Sequence, residues 1–418
     1  MFLESQVVNT AYHSDGQALR AASPAAIISA MYDMGELNDQ ETALLSVFAV
    51  LPAENIDYAV LETLLPDKEN LDTVLLDLAQ KGWLANQADS NFKISPVVQE
   101  ITLDKNRRRL LADCRQLIAS LIDQLIYEPG IGHPVQISYT EAAVLTHYGE
   151  QIIQRLIEPD EYLALLCDRL GNFHKTTGNL VNALNCFEAY FRSYKALYQA
   201  YPNKVSVKNC LAISYEKLGT AHAALDNLNL DNLNQALVFF DEYFRLSNEL
   251  YEAHPNNVSL KNNLAISYEK LGTAHAALGN LALALIFFTA DTQLTKELYD
   301  AYPTNVAFKS GLAISYEKLG KVHFALENWE QALDFFEEQF GLSKELYEAH
   351  PSDVSIKNGL AISYTNLGRL FEKAGLNQQA KEYYQTAKLF LDELVNSSPL
   401  YVKFKQLNDW VVQRLSGL

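Results

Sequence analysis

The most regularly placed reactive groups in this chain are carboxylates. Glu216, Glu269 and Glu317 occupy one register of a nine-residue segment, LAISYEKLG, that recurs at 211–219, 264–272 and 312–320. A fourth copy, LAISYTNLG at 360–368, carries Thr365 there, and a degenerate copy, LALLCDRLG at 163–171, carries Asp168. Carboxylates spaced one per repeat make a charged face, not the close pair that acid–base catalysis needs. The sequence holds no HExxH, no GxSxG and no glycine-rich phosphate loop. No catalytic residue, cofactor or metal ion is therefore expected. His174, His222, His275 and His323 form a second series at the same period. Copies in adjacent units stand too far apart to share a metal, so these are expected to pack in the core. Cys114, Cys167, Cys186 and Cys210 have no CxxC spacing and read as reduced, mostly buried thiols.

These residues must be placed by a repeated element. The copies begin at offsets of 48, 53, 48 and 48 residues, and Pro202, Pro255, Pro303, Pro351 and Pro399 close each unit on the same beat. A fixed period of this size means one supersecondary unit stacked on copies of itself, an architecture that presents a long binding surface. Within one unit, apolar residues at helical spacing (Leu260, Leu264, Ile266, Tyr268, Leu271, Leu278) predict a helix over 259–278. Gly279-Asn280 breaks it. A second helix is predicted over 281–301, ending before Tyr302-Pro303. The unit is helix–turn–helix. The extra length of the second unit comes from a duplication, DNLNL/DNLNQ at 226–235, read as a surface loop. Residues 401–415 read as half a unit that caps the stack.

Tyr268, Leu271-Gly272, His275, Gly279, Ala284 and Phe288 carry the spacing of the tetratricopeptide repeat, and the chain resembles that superfamily. The closing proline arrives seven residues late and the seven residues before LAISY also read as helical, so helices about two turns longer than usual are expected, roughly 30 Å each. The resemblance implies that the first helix of each unit lines a concave face. That puts Asp168, Glu216, Glu269, Glu317 and Thr365 on one row of it. Asn172, Thr220, Thr273, Lys321 and Arg369 follow one turn later, and Asn209, Asn262, Ser310 and Asn358 lie two turns earlier. The protein-binding residues are thus expected to be Asn209, Glu216, Thr220, Asn262, Glu269, Thr273, Glu317, Lys321, Asn358, Thr365 and Arg369. A row of carboxylates repels itself, which favours a partner carrying Lys or Arg and docking through Glu216, Glu269 and Glu317. Nothing matches the Lys/Asn carboxylate clamp of chaperone-binding members, so an acidic C-terminal peptide is not the expected ligand. Ile213, Ile266, Ile314 and Ile362, beside the row, are expected to pack between units.

The front of the chain differs. Residues 38–51, 56–65 and 71–80 read as three short helices. Gly82-Trp83-Leu84-Ala85 and Phe92-Lys93-Ile94 flank a polar turn like a small two-stranded wing, and Pro96 opens another helix. Through LLSVFAVLP, LLDLAQKGWL and FKISPVVQE this region resembles the winged-helix segment of STAND-type (NB-ARC-like) signalling ATPases. Residues 110–162 resemble the helical connector of their bacterial members. Two departures limit what the resemblance implies. No GxxxxGK[ST] is present to cradle a triphosphate, and Ser95 stands where the family usually has a nucleotide-contacting His. The chain thus resembles the regulatory half of such a protein, encoded alone or cut from a larger one. DNA binding, the other use of a winged helix, is not expected, because 71–80 has no Lys or Arg and carries Asp72 and Asp77.

Composition agrees. Lys and Arg number 33 against 51 Asp and Glu, a formal charge of −18, which argues against nucleic acid and anionic membrane as partners. No apolar run is long enough to span a bilayer, and the first residues carry no secretory signal, so a cytoplasmic protein is expected. The expected organisation is an N-terminal helical segment over 1–37, a winged-helix-like domain over 38–109 and a connector over 110–162. Five tetratricopeptide-like repeats over 163–399 and a capping helix over 400–418 complete it. The expected fold is all-α, a right-handed tetratricopeptide superhelix behind a winged-helix domain with a small β-wing. The expected function is non-catalytic protein recognition in a signalling assembly, by resemblance bacterial immunity or stress signalling, with an ATPase or protease partner. A standalone adaptor capturing an effector such as a caspase-like protease or sigma factor is the alternative, with a DNA-binding regulator behind it.

Overall fold

A computed structural model describes residues 32–87, 90–127, 137–225, 229–399 and 401–418, together with two short paired strands, β1 (His13–Ser14) and β2 (Gln17–Ala18). Most of the helical segment expected over 1–37, and the first residues of the 226–235 duplication, lie outside the described residues. The chain divides into two compact units, one of residues 1–123 and 147–157, the other of residues 124–146 and 158–418.

The first unit is built around α1 (Asp39–Val50), whose run Leu44–Val50 is almost wholly buried. Its start is set by a capping box: Asn38 Oδ1 accepts from the Glu41 amide and Glu41 returns the bond to the Asn38 amide, each at 2.9 Å. The Glu41 carboxylate is also held by Lys81 at 2.6 Å. At its other end the Leu51 carbonyl accepts from Gln99 and from Arg155. Around α1 lie β3 (Ile56–Asp57), α2 (Tyr58–Leu64), α3 (Leu71–Gln80), β4 (Leu84–Gln87), β5 (Asn91–Ile94) and α4 (Pro96–Lys105). The strands form one antiparallel sheet in the order β3-β5-β4. The expected hairpin is present, but 56–65 is not one helix: Ile56 and Asp57 pair with Phe92 and Asn91, and Asp57 then caps α2. Alternation over two residues is too short to announce a strand in the sequence. Ser95, where a nucleotide-contacting His was the family expectation, is the N-cap of α4 and accepts from the Val98 amide. Two short helices, α5 (Leu110–Asp113) and α6 (Arg115–Gln124), follow, then the longer α7 (Tyr139–Arg155).

The second unit carries the repeats. Five helix pairs follow one another: α8 (Glu161–Thr176) with α9 (Leu180–Ala200), α10 (Val205–Leu225) with α11 (Leu230–Ala253), α12 (Val258–Ala277) with α13 (Leu281–Ala301), α14 (Val306–Ala325) with α15 (Trp329–Ala349), and α16 (Val354–Lys373) with α17 (Asn377–Ser397). The single helix α18 (Val402–Gly417) ends the stack. Most of these helices run 20 to 24 residues, the length expected from the 48-residue period. Each pair crosses closely because the first helix offers a glycine to an aromatic ring of the second. A Cβ at Gly272 would stand 2.6 Å from Phe288 Cε1, and Gly171, Gly219, Gly320 and Gly368 meet Phe187, Phe240, Phe336 and Tyr384 in the same way. Of the histidine series only His174 is buried; His222, His275 and His323 are half-buried and stack on Phe239, Phe287 and Phe335 at 5.3, 5.4 and 5.4 Å. In the last repeat Phe371 on Tyr383 takes that place. The isoleucine row is half-buried except Ile314, which is 45% exposed. This is the architecture of a tetratricopeptide array: antiparallel pairs, each burying its faces against the next. Among the described residues no helix is long and apolar enough to cross a membrane.

Candidate protein-binding groove

First helices of successive repeats approach one another more closely than second helices do, so they form the inner side of the stack. The residue row singled out by the LAISYEKLG register lies on them. Asparagine or aspartate caps at Asn257, Asn305 and Asp353 start α12, α14 and α16 at equivalent points, which holds the register from repeat to repeat. An outer series of ion pairs, Lys261–Glu297, Lys309–Glu345 and Lys357–Glu393, ties the two helices within each unit.

The carboxylates on the row are not unpaired. Lys270 Nζ lies 3.5 Å from Glu216 and 3.3 Å from Glu269. Lys318 Nζ reaches back to Glu269 at 3.0 Å, Lys217 reaches Asp168 at 3.4 Å, and Lys321 pairs with Glu317 on its own helix. Thr220 and Thr273 donate to Glu216 and Glu269 at 2.8 and 2.9 Å. The Glu216, Glu269 and Glu317 side chains are only 12 to 15% exposed. Burial alone would raise the Glu269 carboxyl, but the flanking Lys270 and Lys318 ammoniums outweigh it and hold the group well below the usual carboxylate range. Glu216 is lowered against its burial by Lys270, Lys217 and Lys175. The reciprocal shift appears in Lys270, which burial would lower but Glu269 and Glu216 raise.

This corrects the premise from which a basic partner was expected. The row does not repel itself, because Lys217, Lys270 and Lys318, each next to the row in sequence, alternate with it across repeats. The signal was present in the sequence: the Lys of LAISYEKLG recurs with the Glu. What could not be read was its direction, since a lysine one position on lies about 100° around the helix from the row.

The other predicted residues divide. Asn209 Oδ1 accepts from Asn263 Nδ2 at 2.9 Å, and Asn262 and Asn358 are half-buried on the groove-lining helices. Thr365 is not available to a partner: it is buried, and its hydroxyl bonds the Ala361 carbonyl of its own helix. Asn366, in the lysine position, is buried against Gln339. Arg369 lies over the rings of Phe324 and Trp410 at 5.0 and 5.8 Å. With Lys321, Phe324, Ala325, Phe336 and Asn366 it lines a small cavity. Sequence reasoning missed Asp291 of α13, which is 2% exposed with Oδ2 unbonded. Burial pushes it up to about 7, with Ser315 opposing and Glu269 adding. It stands where the first two repeats place the buried tyrosines Tyr190 and Tyr243. Among the described residues no group of His, Cys, Asp and Glu side chains could hold a metal ion.

No protein-family profile matches the chain. No curated protein matches it either. Among solved structures, BtubC from P. vanneervenii is 15% identical, over 61% of this chain and 90% of its own, with a TM-score of 0.43. A STAND signal-transduction protein with a tetratricopeptide-repeat sensor from Pyrococcus horikoshii is 15% identical, over 91% of this chain and 54% of its own, with a TM-score of 0.42. The Rap protein complexed with competence and sporulation factor is 12% identical, over 94% of this chain and 99% of its own, with a TM-score of 0.41.

Proposed function

We propose that the chain is a non-catalytic protein-recognition scaffold whose repeat groove captures a protein or peptide within a signalling assembly. The observation that carries this reading is the groove itself: polar and charged side chains repeat in register on the inner helices of α8 to α16, while each helix pair spends its apolar residues on its neighbours. Such a surface contributes many modest contacts over a long, pre-organised face, which suits an extended segment.

The reading extends to the front of the chain. The order helix, strand, helix, helix, strand, strand over 38–94, with α4 behind it, supports a winged-helix domain over 38–109. A connector over 110–162, five repeats over 163–399 and a cap over 400–418 would then make the chain the sensor-bearing part of a STAND-type assembly, whose nucleotide-binding ATPase is a candidate partner. The experiment is a pull-down with the full chain from a bacterial lysate, followed by cross-linking of the captured protein. Cross-links clustered on the first helices of the repeats are expected. Cross-links confined to the second helices would overturn the groove reading.

A further inference from the structure

Each carboxylate of the groove row is answered by an ammonium of the chain: Asp168 by Lys217, Glu216 by Lys270, Glu269 by Lys318, and Glu317 by Lys321. Two further lysines stand at this groove, Lys175 half-buried and Lys403 exposed, and among the described residues neither has a carboxylate within ion-pair distance. One is Lys175, seven residues after Asp168 and so two turns further along the inner face of α8, where other repeats carry Ala223, Ala276, Phe324 and Glu372. The other is Lys403, at the start of α18. Chain course brings the elements that carry them together. A Cβ at Gly178, in the turn of the first repeat, would stand 3.4 Å from Val402 Cγ2, so the start of the last helix meets the first helix pair. The electrostatics agree with that approach. Burial and the Lys217, Lys270 and Lys403 ammoniums push Lys175 down to about 8 against the pull of Glu216. Lys403, although its side chain is exposed, is lowered in the same direction by desolvation among the surrounding helices and by Lys270 and Lys318.

This end of the groove therefore holds a local excess of cation in a chain whose formal charge is −18. An unpaired ammonium among other ammoniums is relieved by a carboxylate, the group this groove already uses at every other lysine of the row. We propose that the groove binds a short acidic peptide segment whose side-chain carboxylates pair with Lys175 and Lys403. This rests on the protein-recognition reading and names the charge of the partner as acidic, opposite to the sequence expectation. A peptide fits better than a nucleic acid, because the acidic exterior repels a long polyanion while a short segment can enter the groove.

The test is fluorescence anisotropy on the full chain with a labelled hexaglutamate peptide, using hexalysine and hexathymidylate as controls. Hexaglutamate should bind, weaken as salt rises, and lose at least about tenfold in affinity in the Lys175→Gln/Lys403→Gln variant, while the Lys→Arg pair should bind like wild type. Failure of hexaglutamate to bind, equal binding by the Gln variant, or equally tight binding of hexathymidylate would each overturn the proposal. A readout that needs no variant is protection of amines from acetylation, read by mass spectrometry. Saturating hexaglutamate should protect Lys175 and Lys403, and unchanged reactivity at both would count against it. A captured natural partner that binds the Gln variant as it binds wild type would leave the recognition reading standing and remove this one.

Discussion

Lys318 Nζ lies 3.0 Å from Glu269 Oε1, an ion pair between residues 49 apart in sequence that fastens the fourth repeat to the third. Glu269 is shared with Lys270, whose ammonium also touches Glu216 of the second repeat. Glu317, by contrast, has among the described residues Lys321 of its own helix as its ion-pair partner. Glu269→Gln should therefore cost about 1.5–3 kcal/mol, the range for charge-assisted bonds. Glu317→Gln should cost closer to 0.3–0.5 kcal/mol, as for i,i+4 pairs. Urea unfolding of the two variants decides the matter, and equal losses would contradict the inter-repeat role. A triple Glu216/Glu269/Glu317→Gln variant then probes stability as much as binding.

Asp291 supplies a pH signature. Its folded-state pKa of about 7 lies above the ordinary carboxyl value, so the folded state binds more protons between about pH 4 and 7 and this group's stabilisation is lost as pH rises through that window. Glu216, Glu269 and Glu317 have the opposite sign: their contribution is present above pH 4.5 and lost on acidification. Subtracting the Asp291→Asn curve from wild type isolates the first effect from the Glu269, Lys270 and Lys318 charges around it. Asn should gain on wild type as pH rises from 5 to 8, by an amount on the order of 2–4 kcal/mol. Parallel curves would show that Asp291 titrates normally.

Gly272→Ala should be destabilising by about 1–3 kcal/mol, because the new methyl meets the Phe288 ring at 2.6 Å and the helix pair must part to admit it. The double variant with Phe288→Leu should recover part of the loss. A Gly272→Ala protein as stable as wild type would mean that the helix pair yields without strain.

The turn of the fourth repeat departs from its neighbours. Glu327 holds φ of 61° where Gly279 and Gly375 hold 79° and 74° in the adjacent units. A side chain in the left-handed region costs energy that glycine does not. Glu327→Gly should raise stability by about 0.5–1 kcal/mol in spite of glycine's larger unfolded-state entropy. Lower thermal stability in the variant would show that the carboxylate makes a compensating contact.

Deleting 401–418 should expose the last helix pair. Phe404 and Val411 of α18 are buried, and Trp410 meets Tyr384 edge-on at 5.9 Å. Without the cap the Tyr384, Leu391 and Leu394 side chains of α17 face water, so aggregation or a lower Tm is expected. A monodisperse truncated chain with an unchanged melting curve would refute the cap assignment.

The sequence by itself determined the repeat, its helix boundaries and its close crossings. Helix length, capping and a Gly facing a ring are set within one unit, by residues whose spacing is fixed at 3.6 per turn. Thus the helix read over 281–301 is α13 residue for residue, and 259–278 is α12 within one residue. Only the tertiary structure decided what those residues meet. Glu269 reads as a free carboxylate until the next repeat is stacked and Lys318 swings back to it. Gly178 and Val402 are 224 positions apart and meet only because α18 returns to the first helix pair. Ile56 and Asp57 become a strand only because Phe92 and Asn91 arrive beside them. Local periodicity carries no term for the rotation between successive units, and that rotation sets which charges are neutralised.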